Sequence, residues 1–311
     1  MTWLQLQIRT DPERAHRVEA SMENSGALSV TMTDAADQPL LEPGPGETPL
    51  WSDILITGLY PADLAIATLI EGLKTDFLPD ILPPVNWTRL ADQNWQRAWM
   101  TDFKPMPFGR RLWICPSWCA PPDPTAINLL LDPGLAFGTG THPTTALCLQ
   151  WLDGQDLDGQ ELIDYGCGSG ILGIAALLLG ATRVYGVDND PQALLASRDN
   201  CDKNQLASTR FETFLPDAFL QDYNRGRPGR VDGIAANILA APLISLAHLL
   251  ASFVRPGGWL LLSGILEAQA EAVMAAYRPW FTLEEPAILD GWVRITALRS
   301  ESDTAREKSQ D

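Results

Sequence analysis

Residues 161–188 constrain the fold of this chain more than any other stretch. An apolar run ends in an acid, Asp164, and glycines follow at positions 166, 168 and 170 before a second apolar run. Residues 183–187 are again apolar and end at another acid, Asp188. Glycines at such a corner let the backbone approach a ligand where a Cβ would collide. An acid about 20 residues past the turn is placed to bind ribose hydroxyls. The pattern therefore predicts a β-α-β unit that binds a nucleoside-type cofactor.

Two cofactor classes fit this turn. Residues 168–173 satisfy G-x-G-x-x-G, the pattern of nicotinamide- and flavin-binding proteins. Asp164 together with Gly166 and Gly168 begins a D-x-G-x-G-x-G pattern, which is typical of S-adenosylmethionine-dependent methyltransferases of the Rossmann-like class. A strand-end carboxylate suits a cofactor that carries a sulfonium cation and an amino group, but it repels a pyrophosphate. The pattern favours S-adenosylmethionine, with a dinucleotide or a turn without ligand as alternatives.

Composition and charge exclude several classes of protein. The net charge of −17 argues against a nucleic-acid-binding surface, which would be basic, and is compatible with a basic protein or an amine as partner. No apolar run reaches the roughly 18–20 residues of a membrane helix, and the start lacks the basic region of a signal peptide. The five scattered cysteines form no zinc or disulfide pattern. We expect a cytoplasmic protein without a metal site, and Cys167 as a small turn residue rather than a nucleophile.

The order of predicted elements divides the chain into two domains. Residues 1–90 read as β-α-β-β-α-β, the order of a ferredoxin-like domain, and we expect this domain to recognise the substrate. Residues 91–125 are predicted as a linker with a short helix at 92–100, and the charged tail 300–311 as disordered. Residues 126–299 alternate strand and helix, which predicts a parallel sheet covered by helices. The strands of the first domain are predicted at 3–9, 27–33, 53–59 and 85–90, and its helices at 12–24 and 61–73.

In the second domain, ligand sites are expected at the carboxyl ends of the parallel strands. An antiparallel pair of strands near 281–285 and 291–298 is predicted to close the sheet. The remaining strands are predicted at 127–131, 161–165, 183–188, 210–215, 231–236 and 259–263, and the helices at 142–153, 170–179, 191–204, 241–253 and 267–278.

Two further segments carry candidate site residues. Residues 131–145 run from a strand through a glycine- and threonine-rich loop into a helix, and Thr145 there is placed to bind the cofactor's carboxylate or amino group. We interpret the loop, with Phe137, as a cover for the cofactor; a capped helix start is the alternative. His142 is expected to cap this helix rather than act as a base. Asn237 ends a strand, where amino-group methyltransferases commonly hold the accepting nitrogen; a turn or cap residue is the alternative.

Taken together, these segments closely resemble the bacterial methyltransferases of large-subunit ribosomal protein eleven. The resemblance extends to nearly the whole chain up to about Arg299 and is weakest in 34–90. The motifs that carry it are the glycine–threonine loop, the Asp-x-Gly-Cys-Gly-Ser-Gly turn, Asp188 with Asn189-Asp190-Pro191, Asn237-Ile238-Leu239-Ala240, and the tryptophan-containing segments 95–99 and 111–116.

The resemblance implies a function and a set of site residues. Thr145, Gly166, Asp188 and Asn237 would contact S-adenosylmethionine, and we add Asp164 and Gly168 from the glycine turn. The N-terminal domain would bind the ribosomal protein and swing on the linker, and lysine side chains and the N-terminal amine would be trimethylated. We also expect a monomer.

Methyl transfer from an activated cofactor needs mainly positioning, so we predict no dedicated catalytic base. Three alternatives remain open at this point: a nicotinamide-dependent oxidoreductase, a binding protein that uses the pocket only as scaffold, and a methyltransferase of another amine.

Overall fold

The computed structural model describes residues 2–36, 38, 48–90, 103–132, 142–226 and 230–301. The chain forms two compact units, Met1–Thr101 and Asp102–Asp311. The predictions for the helix at 92–100, most of the loop around Phe137 and the tail after 301 concern residues outside the described ranges.

The first unit has the predicted ferredoxin-like architecture. Its antiparallel sheet has the order β2-β3-β1-β4, with both helices packed on one face. Asp11 accepts the N–H of Arg14 at 3.0 Å and so caps the first helix, as its position before Pro12 predicts. Leu6 and Ile8 point into the core, since alternate residues of a strand share a face. The elements are β1 (Trp3–Thr10), α1 (Pro12–Asn24), β2 (Ser29–Asp34), β3 (Ile54–Pro61), α2 (Ile66–Asp76) and β4 (Val85–Leu90).

A small three-stranded sheet precedes the main sheet of the second unit. It consists of β5 (Met106–Phe108), β6 (Leu112–Cys115) and β7 (Ile127–Leu130). The first two strands lie in the stretch predicted as a linker, where the repeated prolines obscured them. Asp153 fixes their connecting turn, because its carboxylate accepts the N–H groups of Arg110 and Arg111 at 2.6 and 3.0 Å. Residues 103–125 of this stretch therefore belong to the second unit and contribute two strands to it.

The main sheet of the second unit has eight strands in the order β10-β9-β8-β11-β12-β15-β13, with β14 paired to β15. The strands are β8 (Glu161–Tyr165), β9 (Arg183–Val187), β10 (Phe211–Phe214), β11 (Val231–Asn237), β12 (Val254–Leu266), β13 (Phe281–Leu283), β14 (Ala287–Leu289) and β15 (Trp292–Arg299). The helices are α3 (Pro143–Asp153), α4 (Ile171–Leu178), α5 (Pro191–Lys203), α6 (Pro216–Asn224), α7 (Ala240–Ser245), α8 (Ala247–Phe253) and α9 (Ala270–Tyr277).

The order of the strands in the main sheet predicts where a ligand binds. Strands β10, β9, β8, β11 and β12 are parallel, and β15 runs antiparallel to β12. The chain moves outward from β8 to β10 on one side and then returns to build β11 and β12 on the other. The switch therefore lies between β8 and β11, where open α/β sheets bind ligands at the carboxyl ends of the strands.

Both faces of the central strands are buried. Ala235 of β11 belongs to the apolar cluster beneath α3 and α4, whereas its neighbours Ile234 and Ala236 belong to the cluster beneath α7, α8 and α9. This arrangement explains why these strands read as continuous apolar runs rather than alternating ones.

In the main sheet and its helices, the structure differs from the predicted elements at three places. The helix α6 was missed, the single helix predicted at 241–253 is divided into α7 and α8, and β14 is additional. Pro216 at the first position of α6 and Asp217 in its first turn are the signals for the missed helix.

Candidate functional site

The glycine turn after β8 connects the ends of two neighbouring strands. Gly166 and Gly168 have φ values of +77° and +53°, which favour residues without a Cβ. A Cβ on Gly166 would also collide with the side chain of Ile238. The N–H of Gly166 donates to the carbonyl of Val187 at 2.7 Å, and the N–H of Gly168 donates to Asp188 Oδ2 at 2.8 Å. The turn is thus held against the end of β9, with its backbone close to the site.

Asp188 follows β9 and is fixed in orientation by two backbone groups. Besides Gly168, the N–H of Asp190 donates to Asp188 Oδ1 at 3.0 Å. Each carboxylate oxygen can accept more than one hydrogen bond, so both retain capacity for hydroxyl donors. The side chain is only half-buried and lines the cavities described below.

Asp164 is a buried carboxyl at the start of the same turn. Its Oδ2 accepts the N–H of Gly173 in the first turn of α4 at 2.9 Å. Burial raises the pKa of Asp164 to about 7; the Gly173 hydrogen bond opposes this rise, and the charge of Asp188 adds to it. The carboxyl is therefore poised to lose its proton when a cation binds beside it. The Asp164 carboxyl also accepts the helix N–H of Gly173, which would otherwise be available to a pyrophosphate. This disfavours the dinucleotide interpretation.

Thr145 and Asn237 meet where α3 crosses the end of β11. Thr145 is fully buried in the first turn of α3, and Asn237 Nδ2 donates to its hydroxyl at 3.3 Å. The carbonyl oxygen of the Asn237 side chain, Oδ1, is buried and has no hydrogen-bond partner among the described residues. A buried acceptor without a donor is destabilising, and such groups commonly mark a site that a ligand completes.

Two neighbouring cavities bring the predicted residues together. The smaller, of about 220 Å³, is lined by Thr145, Asp164 and the glycine turn, and the larger, of about 570 Å³, is mostly apolar. Both lie at the carboxyl ends of the parallel strands, and together they have the size of small-molecule sites, about 300–1,000 Å³. Every residue predicted to bind the cofactor lines one or both of them. The residues shared by the two cavities are Gly166, Asp188, Asn189, Asn237 and Ile238.

His142 caps α3 at the edge of the larger cavity. Its Nδ1 accepts the N–H of Thr144 at 3.3 Å, as expected for a cap residue. Its ring makes an edge contact with the indole of Trp292, with centroids 4.8 Å apart. Burial lowers the pKa of His142, so the imidazole is neutral at pH 7.

The glycine turn contains no reactive thiol. Cys167 is buried, and burial raises its pKa well above the usual range, so the thiol stays protonated. Among the described residues, no group of three or more His, Cys, Asp or Glu side chains is arranged to hold a metal ion.

Comparison with known proteins places the chain in a family. A family model described as "Ribosomal protein L11 methyltransferase (PrmA)" matches residues 2–300. The chain belongs to this family. A ribosomal protein L11 methyltransferase from Marinobacter nauticus is 54% identical over 304 residues, 97% of this chain and all of the relative. One from Pseudomonas aeruginosa is 54% identical over 299 residues, 96% of this chain and 99% of the relative.

A solved structure agrees with the PrmA assignment. The ribosomal protein L11 methylase of Lactobacillus delbrueckii subsp. bulgaricus is 28% identical, with a TM-score of 0.56 over 64% of this chain and 100% of that chain. The resemblance inferred from the sequence motifs is therefore confirmed, as are the Rossmann-like methyltransferase fold and the prediction of a methyltransferase.

Sequence reasoning missed part of the PrmA cavity wall. Tyr165 is the residue next to Asp164 and could have been proposed from that position alone. Most of the others stand in the segments discussed above but were given no role, whereas Pro216, Pro242, Leu246, Gly264 and Trp292 come from distant parts of the chain and carry no local motif. The missed wall residues are Thr144, Tyr165, Val187, Asn189, Pro216, Ile238, Leu239, Pro242, Leu246, Gly264 and Trp292 in the larger cavity, and Cys167, Ile171 and Leu172 in the smaller one.

One further structural finding concerns membranes. In the described portion of this PrmA chain, no helix is long and apolar enough to cross a bilayer.

Proposed function

We propose that this chain is an S-adenosylmethionine-dependent N-methyltransferase that methylates lysine side chains and the N-terminal amine of ribosomal protein L11, the large-subunit protein eleven. The observation that carries the proposal is the position of Asn237. Its side chain lines both the smaller and the larger cavity, and its Oδ1 is a buried acceptor without a donor among the described residues. A group that joins a cofactor cavity to an acceptor cavity, and lacks an N–H partner, suits an amine substrate.

The residues of the smaller cavity fit the cofactor. Asp188 would accept hydrogen bonds from the ribose hydroxyls, because its two oxygens are oriented by backbone N–H groups and retain acceptor capacity. Asp164 and Thr145 would bind the charged amino-acid end, the former as a buried carboxylate that a nearby cation stabilises. Gly166 and Gly168 adopt the positive φ values that shape the turn beside the ligand, and a Cβ on Gly166 would collide with Ile238.

The bound cofactor supplies a methyl group on a positively charged sulfur. Asn237 Oδ1 would accept an N–H of the neutral substrate amine and so direct the nitrogen lone pair toward that methyl carbon. In the transfer that the cofactor would supply, a C–N bond would form as the C–S bond breaks, and the electron pair of that bond would remain on the leaving sulfur. The methylated nitrogen becomes a cation, and it loses a proton to water before the next transfer. The apolar wall of the larger cavity excludes water from the reacting atoms.

No residue is assigned as a catalytic base. Deprotonation of a free lysine at pH 7 costs roughly 3 pK units, about 4–5 kcal/mol. Transfer of the ammonium from water into the apolar cavity, near a sulfonium, lowers this cost by disfavouring the charged form. His142 is engaged as a helix cap through Nδ1. We therefore assign proton loss to solvent before the amine is fully seated.

The first unit is proposed as the domain that recognises the substrate. Residues 1–90 contain 13 acidic and 5 basic side chains, which favours a basic partner such as a ribosomal protein. We also propose a cytoplasmic location, a monomeric enzyme and no direct binding to nucleic acid. The cytoplasmic location is where a ribosomal protein substrate would be found, and the acidic charge argues against nucleic-acid binding.

Label transfer tests the proposed function directly. S-adenosylmethionine labelled on its methyl group is mixed with this protein and with total ribosomal protein from a strain lacking the activity. Label in one band of the size of L11, retained on Lys-containing and N-terminal peptides, is the expected result. Label in another band would overturn the substrate but keep the methyltransferase, and cofactor binding without any label would overturn the enzymatic function.

A further inference from the structure

The larger cavity extends across the sheet to an aromatic wall. Asp188 lies beyond the end of β9 and Trp292 begins β15, and three strands, β8, β11 and β12, separate them in the sheet. The end of the cavity near Trp292 is therefore distinct from the end that would hold the ribose. It is lined by Trp292, His142 and Leu239, together with Gly264, whose missing Cβ allows the backbone of Ile238 to approach closely.

The indole of Trp292 is held in place by its neighbours. It contacts the His142 ring at 4.8 Å between centroids with 70° between the ring planes, and His142 is in turn fixed by its capping hydrogen bond. The following residue, Val293, is fully buried and pairs with Ile265 of β12. A large π surface is thus presented to the cavity at low cost in conformational entropy.

The electrostatic surroundings favour a cation in front of this wall. No Lys or Arg side chain is among the described residues that line the larger cavity, and its only basic group is His142. Since burial lowers the pKa of His142, the imidazole carries no charge at pH 7. An ammonium group in this cavity meets a neutral aromatic wall, and cation–π attraction is strongest at indole faces.

Successive methylation changes what the amine can bind. Each methyl group replaces an N–H, so the hydrogen bond to Asn237 Oδ1 loses donors as the reaction proceeds. Once the substrate amine carries two methyl groups, its neutral form has no N–H left for this acceptor. Positive charge develops on its nitrogen during the last transfer. At that stage Trp292 still offers the nitrogen an attractive π surface at its end of the cavity, whereas the carboxylate of Asp188 lies at the other end.

We propose that Trp292 determines how far methylation proceeds, by binding the mono- and dimethylated amine and stabilising the positive nitrogen that forms in the last transfer. This inference rests on the proposed function, since it concerns the acceptor end of the same site. Asn237 acts mainly on the first transfer and Trp292 mainly on the last. Asn237 would bind the unmethylated amine through a hydrogen bond, and Trp292 would bind the methylated amine through a cation–π contact.

The test follows each methyl state separately. Unmodified L11 is incubated with S-adenosylmethionine and wild-type, Trp292→Leu or Trp292→Phe protein, and the mono-, di- and trimethyl forms are followed by mass spectrometry over time. Trp292→Leu is expected to accumulate mono- and dimethyl forms, with the last transfer slowed about 10-fold more than the first, in keeping with a desolvated cation–π contact. Trp292→Phe should show the same trend more weakly.

Trp280 provides a matched control. It forms a similar edge contact with an imidazole, that of His248, at 5.6 Å, but does not line the cavity. Trp280→Leu should leave the ratio of the three rates unchanged. Equal slowing of all three transfers by Trp292→Leu, or an unchanged product distribution, would overturn the proposal.

A binding measurement covers the case in which Trp292→Leu does not fold. Wild-type protein saturated with S-adenosylhomocysteine is titrated with a trimethyllysine peptide of L11 and with its neutral tert-butyl isostere. We expect the cation to bind at least about 3-fold more tightly, and equal binding by wild type would contradict the role of Trp292. Failure of the proposed function is recognised separately, because wild type would then transfer no methyl group to L11 at all.

Discussion

The two ends of the site are built in different ways. Most of the cofactor end is assembled from residues 164–189, in which backbone N–H groups join the glycine turn to the end of β9 and to Asp188, and Thr145 and Asn237 complete it from elsewhere in the chain. The acceptor end is assembled from α3, the end of β11, the start of α7 and β15. The first end holds the carboxyl groups of Asp164 and Asp188, both fixed by backbone N–H groups, and the second is a wider, mostly apolar cavity. A cofactor site with one ligand can be encoded locally, whereas an acceptor site is formed by the order of strands in the sheet.

The largest effect is expected at Gly166, where the two ends touch. Gly166→Ala places a Cβ against Ile238 and forces an alanine into a left-handed conformation at φ +77°, a strain of about 1–2 kcal/mol before the collision is counted. We expect loss of at least about 100-fold in cofactor affinity, measured by calorimetry, since about 2.7 kcal/mol corresponds to that factor.

Gly159 is the matched control for this substitution. It has a similar φ of +74°, but a Cβ there meets nothing within 4 Å. Gly159→Ala should lower the melting temperature by a few degrees and leave cofactor binding intact. If both variants bind the cofactor equally well, the close approach of Ile238 to the turn is not needed for binding.

Substitution of Asn237, which lines both cavities, tests the contribution of the acceptor end. Asn237→Ala removes the unpartnered Oδ1, and we expect the first methyl transfer to slow about 10- to 100-fold, as for loss of a hydrogen bond worth about 1–3 kcal/mol. Cofactor affinity should fall less than the rate, because the substrate amine, and not the cofactor, is the proposed partner of Asn237 Oδ1.

Asn128→Ala is a suitable control for Asn237→Ala. The Asn128 amide donates to the carbonyls of Asp123 and Ala126 and lies outside both cavities. It should reduce stability without changing the methylation rate per folded molecule. A larger loss in cofactor affinity than in rate for Asn237→Ala would instead make Asn237 a cofactor ligand only.

The difference between a cofactor end built mainly from neighbouring residues and an acceptor end built from distant ones also determines which residues could be predicted from the sequence. Asp164, the glycine turn and Asp188 were predictable because strand, turn and second strand follow one another within 28 residues, so local rules fix their geometry. Trp292 was not predictable, because only the antiparallel pairing of β15 with β12 brings it beside α3. Strands β5 and β6 were missed for a similar reason: Asp153, more than 40 residues away, fixes the turn between them.

The pH dependence of cofactor affinity tests the role of Asp164 at the cofactor end. Its pKa of about 7 means that the carboxyl is largely protonated below neutrality in the free enzyme, and a cationic ligand favours the charged form. Affinity for S-adenosylmethionine should therefore rise as the pH increases toward about 7 and level off above, with protons released on binding below that pH. Calorimetry in buffers of different ionisation enthalpy measures this release, and Asp164→Asn should abolish it.

The stability of the free enzyme should respond to the same group in the opposite direction. A carboxyl whose pKa is higher in the folded than in the unfolded state makes folding less favourable as pH rises from about 4 to about 7. Asp164→Asn keeps an oxygen for the Gly173 N–H and cannot ionise. Its melting temperature should exceed that of wild type above pH 7, and the difference should vanish near pH 4. Parallel curves would contradict the raised pKa.

The smallest effect is expected at His142, although it lies in the acceptor wall. His142→Ala removes a helix cap, which costs about 1 kcal/mol of stability, and one contact of Trp292. Because no base is needed within the site, the first methyl transfer should stay within about threefold of wild type at pH 8, where more of the lysine is neutral. Asp11→Ala removes an equivalent cap in the first unit and shows the cost of a cap alone. If His142→Ala abolishes turnover while cofactor affinity is kept, the imidazole takes the proton of the substrate amine. The prediction that the site contains no catalytic base would then be wrong.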